Sequence, residues 1–214
     1  VKIDPHLITA GVPVKPTRLL RVATWNCRGL GNKLKRGNVA DLLEVVDFDV
    51  AFLQETKENS KEDGVGRGER MRNKFERELE EGIHMWESHR KGGVPKGGVA
   101  IMWKKSLRCA VDEKSVKEWL PGYLMSIEFK REKRRMRMFN LYYPTAAVDE
   151  DKKLQEEVKE KLVEGVEQAR VEGMDVLIGG DFNDLSKEAS WYECLGLADM
   201  ALAVGRGGVK TFGK

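Results

Sequence analysis

Four short stretches hold the residues best suited to chemistry: Thr24-Trp25-Asn26, Leu53-Gln54-Glu55-Thr56, Asn140-Leu141-Tyr142-Tyr143-Pro144-Thr145 and Gly179-Gly180-Asp181-Phe182-Asn183-Asp184. Each follows or closes an apolar run. This puts polar groups where a buried strand reaches solvent, on a rigid base with open access. Glu55 suits a hard divalent cation, because Mg²⁺ takes oxygen ligands, keeps several waters and needs only one or two carboxylates. Asn26 and Asn183 each offer an amide donor and acceptor to a phosphate, a water or the ligating carboxylate. Asp181 can position or deprotonate a water, and Tyr142 can donate a hydrogen bond to a phosphate oxygen. The set suits in-line attack of water on a phosphodiester, with a metal absorbing the developing charge. Singly, each also has an ordinary role: a solvated turn for Glu, turn packing for Tyr-Pro, an N-cap for Asp or Asn.

The elements that position these groups are readable from apolar spacing. Leu19 to Trp25 reads as a first strand and Asp49 to Gln54 as a second. Between them Val39, Leu42, Leu43 and Val46 recur at helical spacing from Asn38 onward. A charged helix is expected over Glu69–Glu81, with Met71, Phe75 and Leu79 on one face. Strands are expected over His84–His89, Gly98–Trp103, Leu107–Val111, Leu124–Lys130 and Arg135–Tyr142. A long helix over Glu150–Val171 would bury Leu154, Val158, Leu162, Val166 and Ala169. The run Asp175–Ile178 is a buried strand, after which Gly179 and Gly180 are expected to turn the chain sharply. A short helix over Ala189–Leu195 and the start of a strand at Thr211-Phe212 would follow.

Residues 1–18 carry Pro5, Pro13 and Pro16 without periodicity and read as an extended arm, and residues 19–214 as one domain. Helices alternate with strands only in part, as in a layered α/β sandwich with sheets inside and helices outside. The 214 residues suffice for one sizeable core. Cys27, Cys109 and Cys194 are far apart and odd in number, which argues against a disulfide framework and for an intracellular setting. Neither a membrane span nor a secretory signal is apparent. The net charge of +3 sums 38 basic and 35 acidic side chains, so clustering matters more than the balance. Lys33, Lys35 and Arg36 follow the Asn26 loop on the expected active face, where they could bind nucleic acid. The denser run Lys130, Arg131, Lys133, Arg134, Arg135 and Arg137 spans an expected hairpin, as a nucleic-acid contact or a solvated edge that discourages strand pairing. Trp119 and Trp191 could stack on bases, though burial is the ordinary fate of either.

The series Thr24-Trp25-Asn26, Arg28-Gly29-Leu30, Gln54-Glu55-Thr56, Gly97-Gly98-Val99-Ala100-Ile101, Tyr142 with Pro144, and Gly180-Asp181-Phe182-Asn183 resembles the endonuclease/exonuclease/phosphatase superfamily. Trp25-Asn26-Cys27-Arg28-Gly29-Leu30-Gly31 and Leu53-Gln54-Glu55-Thr56-Lys57 are most similar to apurinic-like endonuclease domains of non-LTR (LINE-type) retrotransposons. The resemblance runs from about residue 20 onward. It implies a four-layer α/β sandwich and Mg²⁺-dependent cleavage of DNA that leaves a 3′-hydroxyl, with Mn²⁺ as an alternative ion. It also implies nuclear action and a reverse transcriptase downstream in the same polyprotein. By motif position it assigns Asn26 and Glu55 to the metal site, Tyr142 to a phosphate contact, and Asp181 with Asn183 to the attacking water. Thr145 falls where it would meet the nucleic acid, and Arg28, where some apurinic endonucleases have an acidic residue, departs from the pattern as either a phosphate contact or only a surface charge.

One part of the family pattern has no counterpart. Members close with a Ser-Asp-His motif that supplies a metal-site Asp and a His facing the scissile phosphate, whereas no histidine here follows His89. On that reading the chain is C-terminally truncated, and weak or absent activity is the expectation. A non-catalytic nucleic-acid-binding relic and a phosphatase acting on inositol or lipid phosphate are the alternatives.

Overall fold

The computed structural model describes residues 20–30, 33–57, 75, 79, 82–88, 97–107, 110–131, 133–145, 148–183 and 195–196. Two four-stranded sheets carry the fold. Sheet A contains β1 (Val22–Asn26), β2 (Val50–Gln54), β3 (Ile83–Ser88) and β4 (Val99–Lys104), in the order β1-β2-β4-β3. Sheet B contains β5 (Val111–Leu120), β6 (Leu124–Arg131), β7 (Arg134–Tyr142) and β8 (Asp175–Asp181), in that order. The edge pairs β1–β2 and β7–β8 are parallel and the remaining neighbours antiparallel. Each parallel pair needs a crossover. Helix α1 (Lys33–Val46) supplies the first and helix α2 (Asp149–Val171) the second.

Strand alternation sends successive side chains to opposite faces, and three apolar layers result. Ala51, Leu53, Ala100 and Met102 face α1, where they meet Val39, Ala40 and Leu43. Val50, Phe52, Val99, Ile101 and Trp103 face the other way and pack on Met125, Ile127, Phe129 and Met138 of sheet B. Leu124, Phe139 and Leu141 on the far side of sheet B meet Val158, Leu162 and Val166 of α2. The order is helix, sheet, sheet, helix: the four-layer α/β sandwich expected from the sequence.

Most elements match the sequence reading to within a residue or two. The α2 stripe is buried at Val158, Leu162, Val166 and Ala169, while Leu154 is only partly covered. Gly165 on the same helix faces the sheet, where a Cβ would lie 2.7 Å from Phe139 and 3.1 Å from Trp119. Trp119 is indeed a core residue, with its Nε1–H donating to Ser126 Oγ at 2.8 Å. Helix α1 begins at Lys33, a turn before the apolar spacing reveals it. The expected strand over Leu107–Val111 is not there. Lys105–Leu107 is a single 3₁₀ turn, and β5 starts at Val111 and runs to Leu120 through the charged stretch Asp112–Glu118. An edge strand facing water lacks apolar alternation, and irregular pairing with β6 disturbs it further.

Gly179 and Gly180 also differ from expectation: β8 runs straight through both to Asp181. They are strand residues because neighbours occupy the space a side chain would need. A Cβ on Gly179 would sit 2.4 Å from the Phe52 ring, and one on Gly180 1.9 Å from the Leu141 carbonyl oxygen. Of the expected charged helix over Glu69–Glu81, only Phe75 and Leu79 are described; both are buried and joined by a helical-turn hydrogen bond of 2.9 Å. The 1–18 arm, the short helix over Ala189–Leu195 apart from its last residue, and Thr211-Phe212 lie outside the described residues. Among the described residues no helix is long and apolar enough to cross a membrane.

Candidate active site

In each parallel pair the strands finish at the same end, and there the chain delivers its polar groups. Asn26 is the last residue of β1, Glu55 directly follows β2, Tyr142 ends β7 and Asp181 ends β8. Ligand sites at the C-terminal ends of parallel strands are a general outcome of α/β construction. Here two such ends, one from each sheet, lie side by side.

Asn26 is the meeting point. Its Nδ2 donates to Glu55 Oε1 at 2.8 Å and to Asp181 Oδ2 at 2.6 Å. Its Oδ1 accepts the Arg28 backbone N–H at 3.0 Å. One amide thus joins carboxylates from two different sheets. Asp181 Oδ1 accepts the Asn183 backbone N–H at 3.0 Å, and the Asn183 side chain donates to the Tyr143 carbonyl at 2.6 Å. Asn183 therefore fixes Asp181 and ties the loop after β8 to the loop after β7. Arg28, Glu55, Lys57 and Asn183 all have positive φ, between 44° and 51°. Such backbone strain clusters where surrounding structure over-determines a functional geometry.

The electrostatics follow from partial burial among charges. Glu55 loses hydration, which alone would raise its pKa, but hydrogen bonds from Lys57 and Asn26 and the charges of Lys57 and Arg28 hold it below the usual value. Tyr142 moves the other way. Burial, the negative charges of Glu55 and Asp181 and a hydrogen bond with Glu55 push its hydroxyl well above the ordinary phenol range. It therefore stays protonated, a donor at any physiological pH. Its ring stacks on Tyr123 with centroids 6.0 Å apart.

The structure gathers Asn26, Glu55, Tyr142, Asp181 and Asn183 in one place. Thr145 is exposed in the loop after β7, two residues beyond Tyr143, and Arg28 is exposed in the loop after Asn26. Arg36 is placed otherwise than its grouping with Lys33 and Lys35 implied. It is buried, and its guanidinium donates to the Leu30 carbonyl at 2.6 Å, bracing the loop between β1 and α1 instead of facing a ligand. The side chains of Lys33 and Lys35 lie outside the described ones. In the second basic cluster, Arg137 is buried and pairs with Glu128 at 2.6 Å and Glu172 at 3.5 Å. Arg135 joins the same two carboxylates, at 2.9 Å and 3.6 Å. Much of that cluster is internal bracing.

Lys57, which the sequence reading did not single out, forms an ion pair with Glu55. The signal was its place two residues beyond a candidate ligand. His84 is remote from these groups: it lies on β3, across sheet A from β1, stacked on Trp103 and 3.3 Å from Glu113.

Among the described residues no group of three or more His, Cys, Asp or Glu is arranged to hold a metal. The carboxylates of Glu55 and Asp181 are nevertheless oxygen donors of the kind a hard, largely hydrated ion takes, while Asn26, whose NH₂ faces both and whose Oδ1 accepts from Arg28, orients them.

Comparisons with solved structures bear on the fold. Among solved structures the chain is similar to the AP endonuclease LMAP from Leishmania major, at TM-score 0.62 and 16% identity, covering 82% of this chain and 58% of that one. It is also similar to TDP2 from Caenorhabditis elegans, at TM-score 0.55 and 21% identity over 80% and 49% of the two chains. A third is an AP endonuclease from Archaeoglobus fulgidus, at TM-score 0.55 and 18% identity over 79% and 59%. These identities speak for a shared fold, and the chain spans about half to three-fifths of the length of those structures. A search of curated proteins finds no match. The Endonuclease/Exonuclease/phosphatase family model matches residues 23–192, most of the chain and every residue of the site above, and the chain belongs to that family.

Proposed function

We propose that the chain is a divalent-metal-dependent phosphodiesterase of the endonuclease type, which nicks DNA and leaves a 3′-hydroxyl. The observation that carries the reading is the convergence of Glu55 and Asp181, one from each sheet, on the Asn26 amide. Glu55 would hold Mg²⁺ or Mn²⁺, with Asn26, assigned to the metal site by motif position, orienting its carboxylate through the NH₂; when bound, the ion supplies positive charge to the phosphate oxygens. Asp181, oriented by Asn183, accepts a proton from the attacking water. Tyr142, held protonated, donates to a phosphate oxygen as negative charge accumulates there. Arg28 and Thr145, exposed beside the site, reach the flanking backbone, and Lys33 and Lys35 in the first turn of α1 would add to the electrostatic attraction.

The Trp25–Gly31 and Leu53–Lys57 stretches support a LINE-type retroelement origin, nuclear action and a reverse transcriptase in the same polyprotein. We expect slow turnover from the 214-residue chain, since the described site offers carboxylates, amides and a phenol, and His84 stands elsewhere.

Supercoiled plasmid tests the reading. The expected outcome is slow conversion to nicked circles that stops with EDTA and resumes with Mg²⁺ or Mn²⁺. Loss of a charge-stabilising or proton-accepting group costs at least about 100-fold, and Glu55→Ala and Asp181→Asn should each lose that much. A polymerase should extend the nick without end repair. Nicking that survives EDTA or is undiminished in Glu55→Ala overturns the proposal.

A further inference from the structure

Directly beneath the site, between the two sheets, lies a second set of polar side chains. Asn140 of β7 is fully buried, and its Nδ2 donates across the sheet interface to the Leu53 carbonyl at 2.9 Å and the Ala100 carbonyl at 2.7 Å. Its Oδ1 accepts from Gln54 Nε2 of β2 at 2.7 Å. Gln54 is 1% exposed and in turn reaches Thr24 Oγ1 of β1 at 3.1 Å. The chain of amides therefore runs from sheet B through β2 to the outer strand of sheet A.

The placement of its members is regular. Thr24 lies two residues before Asn26, Asn140 two before Tyr142, and Gln54 one before Glu55. Residues two apart on a strand share a face. Asn140 also pairs in register with Gly179, which is two before Asp181. The amide layer thus sits one pleat below the site layer, under both halves of it. Apolar contacts alone resist separation of two sheets but fix their lateral register weakly. Directional bonds with no alternative partners fix it strongly, because any slip leaves buried amides and carbonyls unpaired.

We propose that Asn140 and Gln54 are positioning residues, which hold sheet A and sheet B in the register that lets Glu55 and Asp181 meet at Asn26. The role rests on the phosphodiesterase reading for its consequence in catalysis, but the positioning is measurable without it. Groups that orient ligating side chains typically change metal affinity 10–100-fold when removed.

The test replaces both amides by apolar groups of similar volume, Asn140→Leu with Gln54→Met. Removing both partners together leaves no orphaned amide between them and keeps the packing, and only the Leu53 and Ala100 carbonyls and the Thr24 hydroxyl lose a donor, so the fold has the best chance of surviving. Thr24→Val, which alters only the outer end of the chain, is the second variant should the double one fail to fold. Side-chain ¹H–¹⁵N spectra report the Asn26 NH₂ directly, assigned by its loss in Asn26→Asp. In the natural protein both its protons are bonded to carboxylates and should resonate away from free amides. In the double variant, at a melting temperature within a few degrees, they should move to the free-amide position. In Thr24→Val they should move part of the way. Mn²⁺ affinity of the double variant should fall about tenfold or more. Asn26 signals unmoved in a folded variant overturn the positioning role, whatever the metal result. Mn²⁺ binding that is absent in the natural protein, or unaffected by Glu55→Ala, counts against the phosphodiesterase reading instead and leaves the spectral outcome to decide the positioning.

Discussion

At the scale of single residues, the site depends on a glycine that the sequence marks for the wrong reason. Gly180 looks like a turn former, yet it is the penultimate residue of β8, with φ 151° and the Leu141 carbonyl oxygen where a Cβ would be. Its smallness sets how close β8 approaches β7, and so where Asp181 stands. Strain at such a position typically costs of order 1–3 kcal/mol, and with the Leu141 carbonyl in the way Gly180→Ala should lower stability by at least that much in urea unfolding. It should lower nicking by more than the stability loss accounts for, because Asp181 moves with the strand. A second residue-scale lesson concerns legibility. Glu55, Asn26, Tyr142, Asp181 and Asn183 were readable because each is a polar group closing an apolar run. Their partners were not, because nothing in Gln54 or Asn140 says that they reach across 86 residues to each other.

At the scale of elements, sequence patterns succeeded where burial is unambiguous, on one face of a helix or on both faces of a strand. Helix α2 shows its buried stripe plainly, and β2 and β4 are buried throughout and apolar up to their last residues, Gln54 and Lys104. They failed where an element lies at the rim. The first turn of α1 is Lys33-Leu34-Lys35-Arg36, with Leu34 exposed, and β5 is charged along most of its length. The ion network that joins β6, β7 and the end of α2 belongs to this scale. Burial opposes ionisation of Glu128, but hydrogen bonds from Arg137 and Arg135 and their charges prevail and lower its pKa below the ordinary 4.5. A depressed carboxylate pKa contributes stability that is fully present above the unfolded value and is lost as pH falls through the folded one. The thermal stability of the natural protein should therefore fall from about pH 5 downward through that lowered value, and more steeply than that of Glu128→Gln. At neutral pH the substitution should cost about 2 kcal/mol, the usual scale for a charged hydrogen-bonding partner removed from a half-buried pair.

At the scale of the whole molecule, β7 separates two poles. Tyr142 ends it at the site, while Arg134 begins it at the basic hairpin. With about 3.3 Å per strand residue the two are roughly 26 Å apart. The exposed lysines at that hairpin, Lys130 and Lys133, are thus remote from any phosphate held at the site, beyond the range at which salt leaves surface charges coupled. Replacing both by Gln should leave the KM for plasmid within about twofold at physiological salt. The same change at Lys33 and Lys35, close to the Asn26 loop, should raise it severalfold and flatten its dependence on salt.

The two sheets are also consecutive in the chain: all of sheet A precedes residue 105 and all of sheet B follows residue 110. Each can gather its parallel pair, its crossover helix and its own apolar layer from local chain alone. Neither contains a site, for Asn26 and Glu55 belong to the first half and Tyr142 and Asp181 to the second. Competence is therefore a property of docking. A partly assembled chain, with either sheet formed but not yet seated on the other, would present only half of the site, so any activity it has would wait on docking.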